Sequence, residues 1–147
     1  MGFANMKVTG LGTVRSRLIR LPKALTLALK GALRDEGDEL LTDSKENYVP
    51  RMDSHLYNSG VVVGPKGVGV NMFVDIGFGG SAAPYALTVH ENQRAGKTGG
   101  FSPSGQRYKK WAKVGEWKYL ETPFKKRQGL MKERIQTRVD VHLQRFR

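Results

Sequence analysis

The sequence predicts an α+β fold, with a long N-terminal amphipathic helix and a C-terminal helix packed on a small antiparallel sheet that includes a β-hairpin. A long basic loop is expected between the sheet and the last helix. Three observations lead there. Apolar positions repeat with helical spacing over residues 17–48 and again over 122–146. Between these stretches, two valine-rich segments flank Pro65-Lys66-Gly67, which has hairpin chemistry. Helices at both ends with strands grouped in the middle read as α+β rather than as alternating units.

At 147 residues the chain is most simply one domain. Residues 1–16, with three glycines before residue 13 and no periodicity, read as a flexible arm. In the first helix Leu18, Leu21, Leu25, Ala28, Ala32 and Leu40 share a face, and Pro22 suits a first turn. Gly31 and Gly37 weaken the helix, so a bend or break near Gly37 is expected. Bases crowd its first half and acids its second, against the helix dipole, so a partner such as a neighbouring subunit is expected to hold these charges.

The joint of the chain is Tyr48–Gly60. Pro50 disfavours helix at Val49 and should stop the first helix, while Asp53, Ser54, Asn58 and Ser59 can bond nearby backbone in a turn. Gly60–Gly64 and Val68–Ile76 then read as strands within a sheet region spanning 60–91. In the second strand Val68, Val70, Met72, Val74 and Ile76 form the apolar face. Pro84–Glu91 reads as a third strand or turn. Residues 92–113 hold six Lys/Arg, four glycines and no acid, and form the basic loop. Trp117, Tyr119 and Leu120 return the chain to the core. Thr122 is the expected cap of the last helix with Pro123 in its first turn, and Phe124, Met131, Ile135, Val139 and Phe146 mark its inner face.

The formal charge of +12 is unevenly spread: net +7 over residues 1–34, −5 over 35–53, zero over 54–90 and +10 over 91–147. Opposed blocks suit head-to-tail contact between copies, or a basic face toward a polyanion. A hydrophobic content of 39% is low, which suits a subunit completed by its neighbours. The absence of cysteine excludes disulfides, thiolate metal sites and cysteine nucleophiles. No apolar run is long enough to span a membrane, because Arg20, Lys23 and Lys30 interrupt Leu18–Leu33. The acid-free amino terminus is similar to a transit peptide, but its helical pattern continues into the acidic block without a cleavage region. A basic amphipathic stretch at 15–34 could also lie on a membrane surface.

Chemistry is sparse. Gly96-Lys97-Thr98 lacks the upstream glycine of a phosphate loop, since that position is Glu91. His55, His90 and His142 stand apart from any metal-binding pattern, and His90-Glu91, read on a strand, would point to opposite faces. Catalytic, cofactor-binding and metal-ligating residues are therefore expected to be none, and no enzymatic activity is expected. Arg94, Lys97, Arg107, Lys109, Lys110 and Lys113, interleaved with Phe101, Tyr108 and Trp111, suit contact with a nucleic-acid backbone without sequence readout.

Three separated segments carry a resemblance. Pro50, Asp53, Ser54, Leu56 and Ser59 resemble the P-x-D-[ST]-G-x-L-x-x-S signature of tailed-bacteriophage neck proteins, with one extra residue before Asp53 and His55 where glycine is usual. Tyr85, Ala86, Val89 and Glu91 resemble the family's Y-A-x-x-V-E segment with His90 inserted. Lys118–Phe124, through Pro123 and Phe124, is similar to the motif that opens its last helix. The match covers about residues 18–140 and keeps the family's order. The resemblance implies a structural virion protein of the neck or tail-completion type, made in the host cytoplasm. It implies a ring of copies, often six, around the DNA channel at the head–tail junction. Neighbouring neck, portal-connector or tail-tube proteins would be partners, with nonspecific DNA contact, no membrane and no catalysis. The alternative from the residues alone is a nonspecific nucleic-acid-binding protein acting through loop 92–113.

Overall fold

A computed structural model describes residues 4–7, 23–51, 54–93, 95, 100–101, 107–108 and 115–145. The fold is α+β. Helix α1 (Lys23–Asp43) passes into a π-helical turn at Ser44–Tyr48. A short helix α2 (Ser54–Asn58) follows, then β2 (Val61–Lys66), a 3-10 turn at Gly69–Asn71 and β3 (Phe73–Phe78). Helix α3 (Ala86–Glu91) leads to a small pair of strands, β4 (Gly100–Phe101) and β5 (Arg107–Tyr108), and the chain ends on α4 (Glu121–Gln144). The first strand, β1 (Ala4–Lys7), lies at the far amino end.

The main sheet has the order β1-β3-β2, with both neighbours antiparallel to β3. Met6 and Val62 both stand in register with Ile76. Val62, Val74, Ile76 and Phe78 are buried on the face that α1 covers, while Val61 and Val63 alternate onto the other face and stay partly exposed. Helix α4 lies mainly against α1, and its Met131 and Ile135 meet Leu33, Gly37, Leu40, Val74 and Ile76 in a cleft among α1, α4 and β3.

Helix α1 buries a wide stripe, Ala28, Leu29, Ala32, Leu33, Glu36, Gly37, Leu40 and Leu41, as a helix between a sheet and a second helix must. It ends where expected: Val49 is extended at φ −68° and ψ 123°, in the conformation a residue before proline prefers, and Pro50 is fully buried. The expected break at Gly37 does not occur. Packing sets this glycine, because a side chain there would come within 3.0 Å of Val62 Cγ1 and 3.2 Å of Val74 Cγ2.

Other expectations need correction. Residues Ala4–Lys7, placed in a flexible arm, are hydrogen-bonded to the free edge of β3. The hairpin turn spans 67–72 rather than 65–67, so Val68 lies outside any strand and is 85% exposed. Gly67 and Gly69 take positive φ of 84° and 57° and form this wider turn. The sheet region ends at Phe78, and residues expected as a third strand or turn form α3, whose Ala86 and His90 point inward four residues apart. Thr122 does not cap the last helix. The cap position is Leu120, and Thr122 N donates to Lys118 O at 2.8 Å inside the first turn. The inner face is as expected for Met131 and Ile135, with Phe124 and Val139 packed at its margin, while Phe146 lies outside the described residues.

Gly37→Leu should force Val62 and Val74 apart. We predict a loss of about 1–3 kcal/mol in urea-unfolding stability, and an unchanged midpoint would show that α1 is not pressed on the sheet there.

Candidate functional site

Two of the segments that carry the sequence resemblance, Tyr85–Glu91 and Lys118–Phe124, meet at Tyr119, and the first lies beside them where Gly115 closes on Pro50. The Tyr119 side chain is fully buried, and its hydroxyl donates to Ala86 O at 2.8 Å on α3. The ring packs edge-on against Phe78 at 5.2 Å and His90 at 4.9 Å between centroids. Its carbonyl accepts from Ser44 Oγ at 2.7 Å, in the π-helical turn that ends α1. Burial pushes the phenol well above its ordinary value, with smaller contributions from Tyr85 and Glu91, so it remains a neutral donor to Ala86.

Strands of backbone reinforce the junction. Glu116 N donates to Tyr48 O at 2.8 Å, and Lys118 N donates to His90 O at 2.8 Å. Gly115 lies so close to the joint that a side chain there would stand 2.4 Å from Pro50 Cα. Lys118 takes a positive φ of 55° to make the bend between these contacts. Its ammonium then bridges Glu91 Oε2 at 2.7 Å and Glu121 Oε2 at 3.1 Å, tying α3 to the start of α4.

Each motif residue has a definite place. Pro50 is buried in the joint, Ser54 opens α2, and Leu56 is buried in the core. Ser59 Oγ donates to Leu56 O at 2.7 Å and accepts from Gly79 N at 3.1 Å, which fixes α2 to the end of β3. His55 sits within α2, so its position asks for nothing that only glycine supplies. Tyr85 precedes α3 at the surface, Ala86 is buried, and Val89 packs at the core margin. Glu91 is half-exposed on Lys118, Pro123 is fully buried, and Phe124 packs beside it at the core margin. Asp53 lies outside the described residues.

His90 and Glu91 are adjacent on a helix rather than a strand, and His90 Nδ1 lies 2.7 Å from Glu91 Oε1. The Lys118 hydrogen bond, and after it the His90 bond, hold the Glu91 carboxyl below its ordinary value. The imidazole is buried, and its Nε2 has no hydrogen-bond partner. With the carboxylate already held by an ammonium, the pair acts as a fastening between α3 and α4. Among the described residues no group of three or more His, Cys, Asp or Glu could hold a metal ion. No helix among them is long and apolar enough to cross a membrane.

The proposed nucleic-acid contacts cannot be located in the same way. Arg94, Lys97, Lys109, Lys110 and Lys113 lie outside the described residues, and only the backbone of Arg107 is described, in β5.

A feature the sequence reading missed is the pairing of the two charged blocks inside the chain. Arg127 Nε reaches Asp43 Oδ2 at 3.0 Å, and Arg134 Nε and Arg138 Nε each reach Glu36 at 3.1 Å. Glu39 accepts from Arg134 at 2.5 Å and also from Arg138. His142 Nε2 lies 2.6 Å from Asp35 Oδ2. Asp38 and Glu46 pair with Arg34 and Arg51, and Tyr57 also donates to Glu46. The acids expected to meet a neighbouring subunit are thus held by the same chain. Their helical spacing, 36/39/43 against 127/134/138, was the available signal.

No family model, curated protein or solved structure matches the chain.

The Glu91 carboxyl has a folded value below its ordinary one, so its contribution is complete above about pH 4.5 and is lost as pH falls through the folded value. We predict that Glu91→Gln flattens that acid limb when unfolding midpoints are measured against pH. An acid limb identical to that of the unsubstituted protein would remove Glu91 from the balance.

Proposed function

We propose that the protein is a structural virion component of a tailed phage, forming a ring at the head–tail junction around the DNA channel. One observation supports it above the others: two motif segments, widely spaced in sequence, meet at Tyr119, and the first motif segment is held beside them through Pro50 against Gly115. A chance likeness of scattered residues would have no reason to coincide with such a node. Around Tyr119 itself the node is built from hydrogen bonds to backbone and side chain and from packed rings, the chemistry of a scaffold.

Surfaces for assembly are available. Strand β2 is an edge, and Val61 and Val63 are partly exposed on the sheet face opposite α1. The pairing of the α1 acids with the α4 arginines leaves the excess positive charge concentrated in residues 1–34 and in loop 92–113. A channel wall needs only such sequence-independent phosphate attraction. Neighbouring copies, portal-connector proteins or tail-tube proteins are the partners of this reading.

The test is assembly. Light scattering and negative-stain microscopy of the protein, alone and with the adjoining neck proteins, are expected to show a discrete ring. A monomer that persists at high concentration in both settings overturns the proposal.

The same charge distribution supports a second reading, nonspecific nucleic-acid binding through Arg94, Lys97, Arg107, Lys109, Lys110 and Lys113. Lys109→Glu, Lys110→Glu and Lys113→Glu together are expected to reduce the slope of log affinity against log salt by roughly 2–3 for double-stranded DNA. An unchanged slope places any DNA contact elsewhere.

A further inference from the structure

We propose that the Asp35–Glu36–Glu39 face of α1 is a docking site for the C-terminal helix of a second copy. The occupant is residues 130–144 of that copy, exchanged about Gly129. Exchange of an identical element lets every contact that exists within one chain form between two.

The two halves of α4 are attached differently. The first half is anchored by buried Pro123, by Lys126 Nζ on Tyr48 Oη at 2.8 Å, by Arg127 on Asp43 and by Lys118 on Glu121. The second half buries only Met131 and Ile135 fully, packs Val139 at the core margin, and is otherwise held by Arg134, Arg138 and His142 on the α1 carboxylates. The pairs to Asp35 and Glu39 are partly exposed and weakened by salt, while those to buried Glu36 are lost only when the arm lifts off as a whole.

Between the halves stands Gly129. A side chain there would meet nothing within 4 Å, so neither close packing nor space calls for a glycine. Its effect is on the helix itself, which a mid-helix glycine weakens. The contrast is Gly31, where the His142 ring lies 2.6 Å from the position a side chain would take. Gly31 leaves room for the His142 ring of the docked helix, whereas Gly129 loosens that helix.

The complement is specific. Glu36 is 5% exposed and faces Arg134 and Arg138 together, and His142 adds an end contact with Asp35 over Gly31. A buried carboxylate left bare by an open arm demands matching guanidinium groups, and a second copy's helix supplies them in the same register.

The test uses charge reversal at the Glu39–Arg138 contact, with Arg134 left in place on Glu36. Glu39→Arg and Arg138→Glu are made as single variants, mixed in equal amounts at low salt, and run on a sizing column with light scattering. Each disfavours docking in its own chain and among its own copies. The mixture is expected to form a mixed complex, and adding Gly129→Ala to both should slow its formation severalfold. A mixture that elutes as the separate variants, while the double variant Glu39→Arg/Arg138→Glu refolds normally, overturns exchange. Should a single variant fail to fold by circular dichroism, Gly31→Cys/His142→Cys in the cysteine-free chain decides the matter. Oxidised with glutathione disulfide after a high-salt step, it is expected to give interchain-linked species on a non-reducing gel. Monomer alone overturns the proposal. A ring seen with no interchain product removes exchange and leaves the neck reading standing, whereas interchain product without a ring does the reverse.

Discussion

The structure depends on the burial of Tyr119 with its hydrogen bonds satisfied. A phenol taken out of water must find an acceptor, and it finds Ala86 O on α3. Its backbone carbonyl must find a donor, and Ser44 supplies one from the end of α1. The ring fills the space between Phe78 at the end of the sheet and His90. One residue thereby sets the relative position of helix, sheet, short helix and final helix. Lys118 and Glu116, on either side of Trp117, add backbone bonds that keep the bend in place.

The second constraint is electrostatic. Glu36 is buried, and a carboxylate in that position is tolerable only with cations at its oxygens. Two arginines of α4 meet it, and a third approaches at 3.8 Å. These contacts also answer the unfavourable dipole arrangement of α1, whose acids cluster toward its carboxyl end. The chain resolves by tertiary contact what its first helix cannot resolve by itself. This is why the opposed charge blocks do not require a neighbour, although they read as if they did.

Much of the fold was legible in the sequence because the strongest signals are local. Pro50 set the end of the first helix, and helical spacing picked out Ala28, Ala32, Leu40, Met131 and Ile135 as inward. Strand parity placed Val74 and Ile76 correctly. The same parity misled at Val68, because alternation continues unbroken through the turn and only Gly67 and Gly69, with their positive φ, mark where the strand stops. Helix α3 was read as strand or turn because six residues are too few to display a period. Thr122 looked like a cap, but after the bend at Lys118 the cap position falls two residues earlier, at Leu120. The pairing of β1 with β3 joins residues far apart in the chain and no local pattern reports it, whereas that of α1 with α4 left a signal only in the complementary charge spacing of the two helices. At the candidate site the motif residues were visible, while the meeting of α3 with the start of α4 at Tyr119 was not.

The distance in sequence between α1 and its cations has a consequence for how the protein is made. Glu36 leaves the ribosome long before Arg138, which follows it by 102 residues. Strands β2 and β3 are complete early in that interval and can cover one side of α1, but the side that carries Glu36 has no partner until α4 follows. Contacts of such separation close late and slowly. Charge on the waiting face then has a use unrelated to the finished structure: carboxylates at Asp35, Glu36 and Glu39 keep the nascent helix hydrated and discourage it from joining others of its kind before its own carboxyl end arrives.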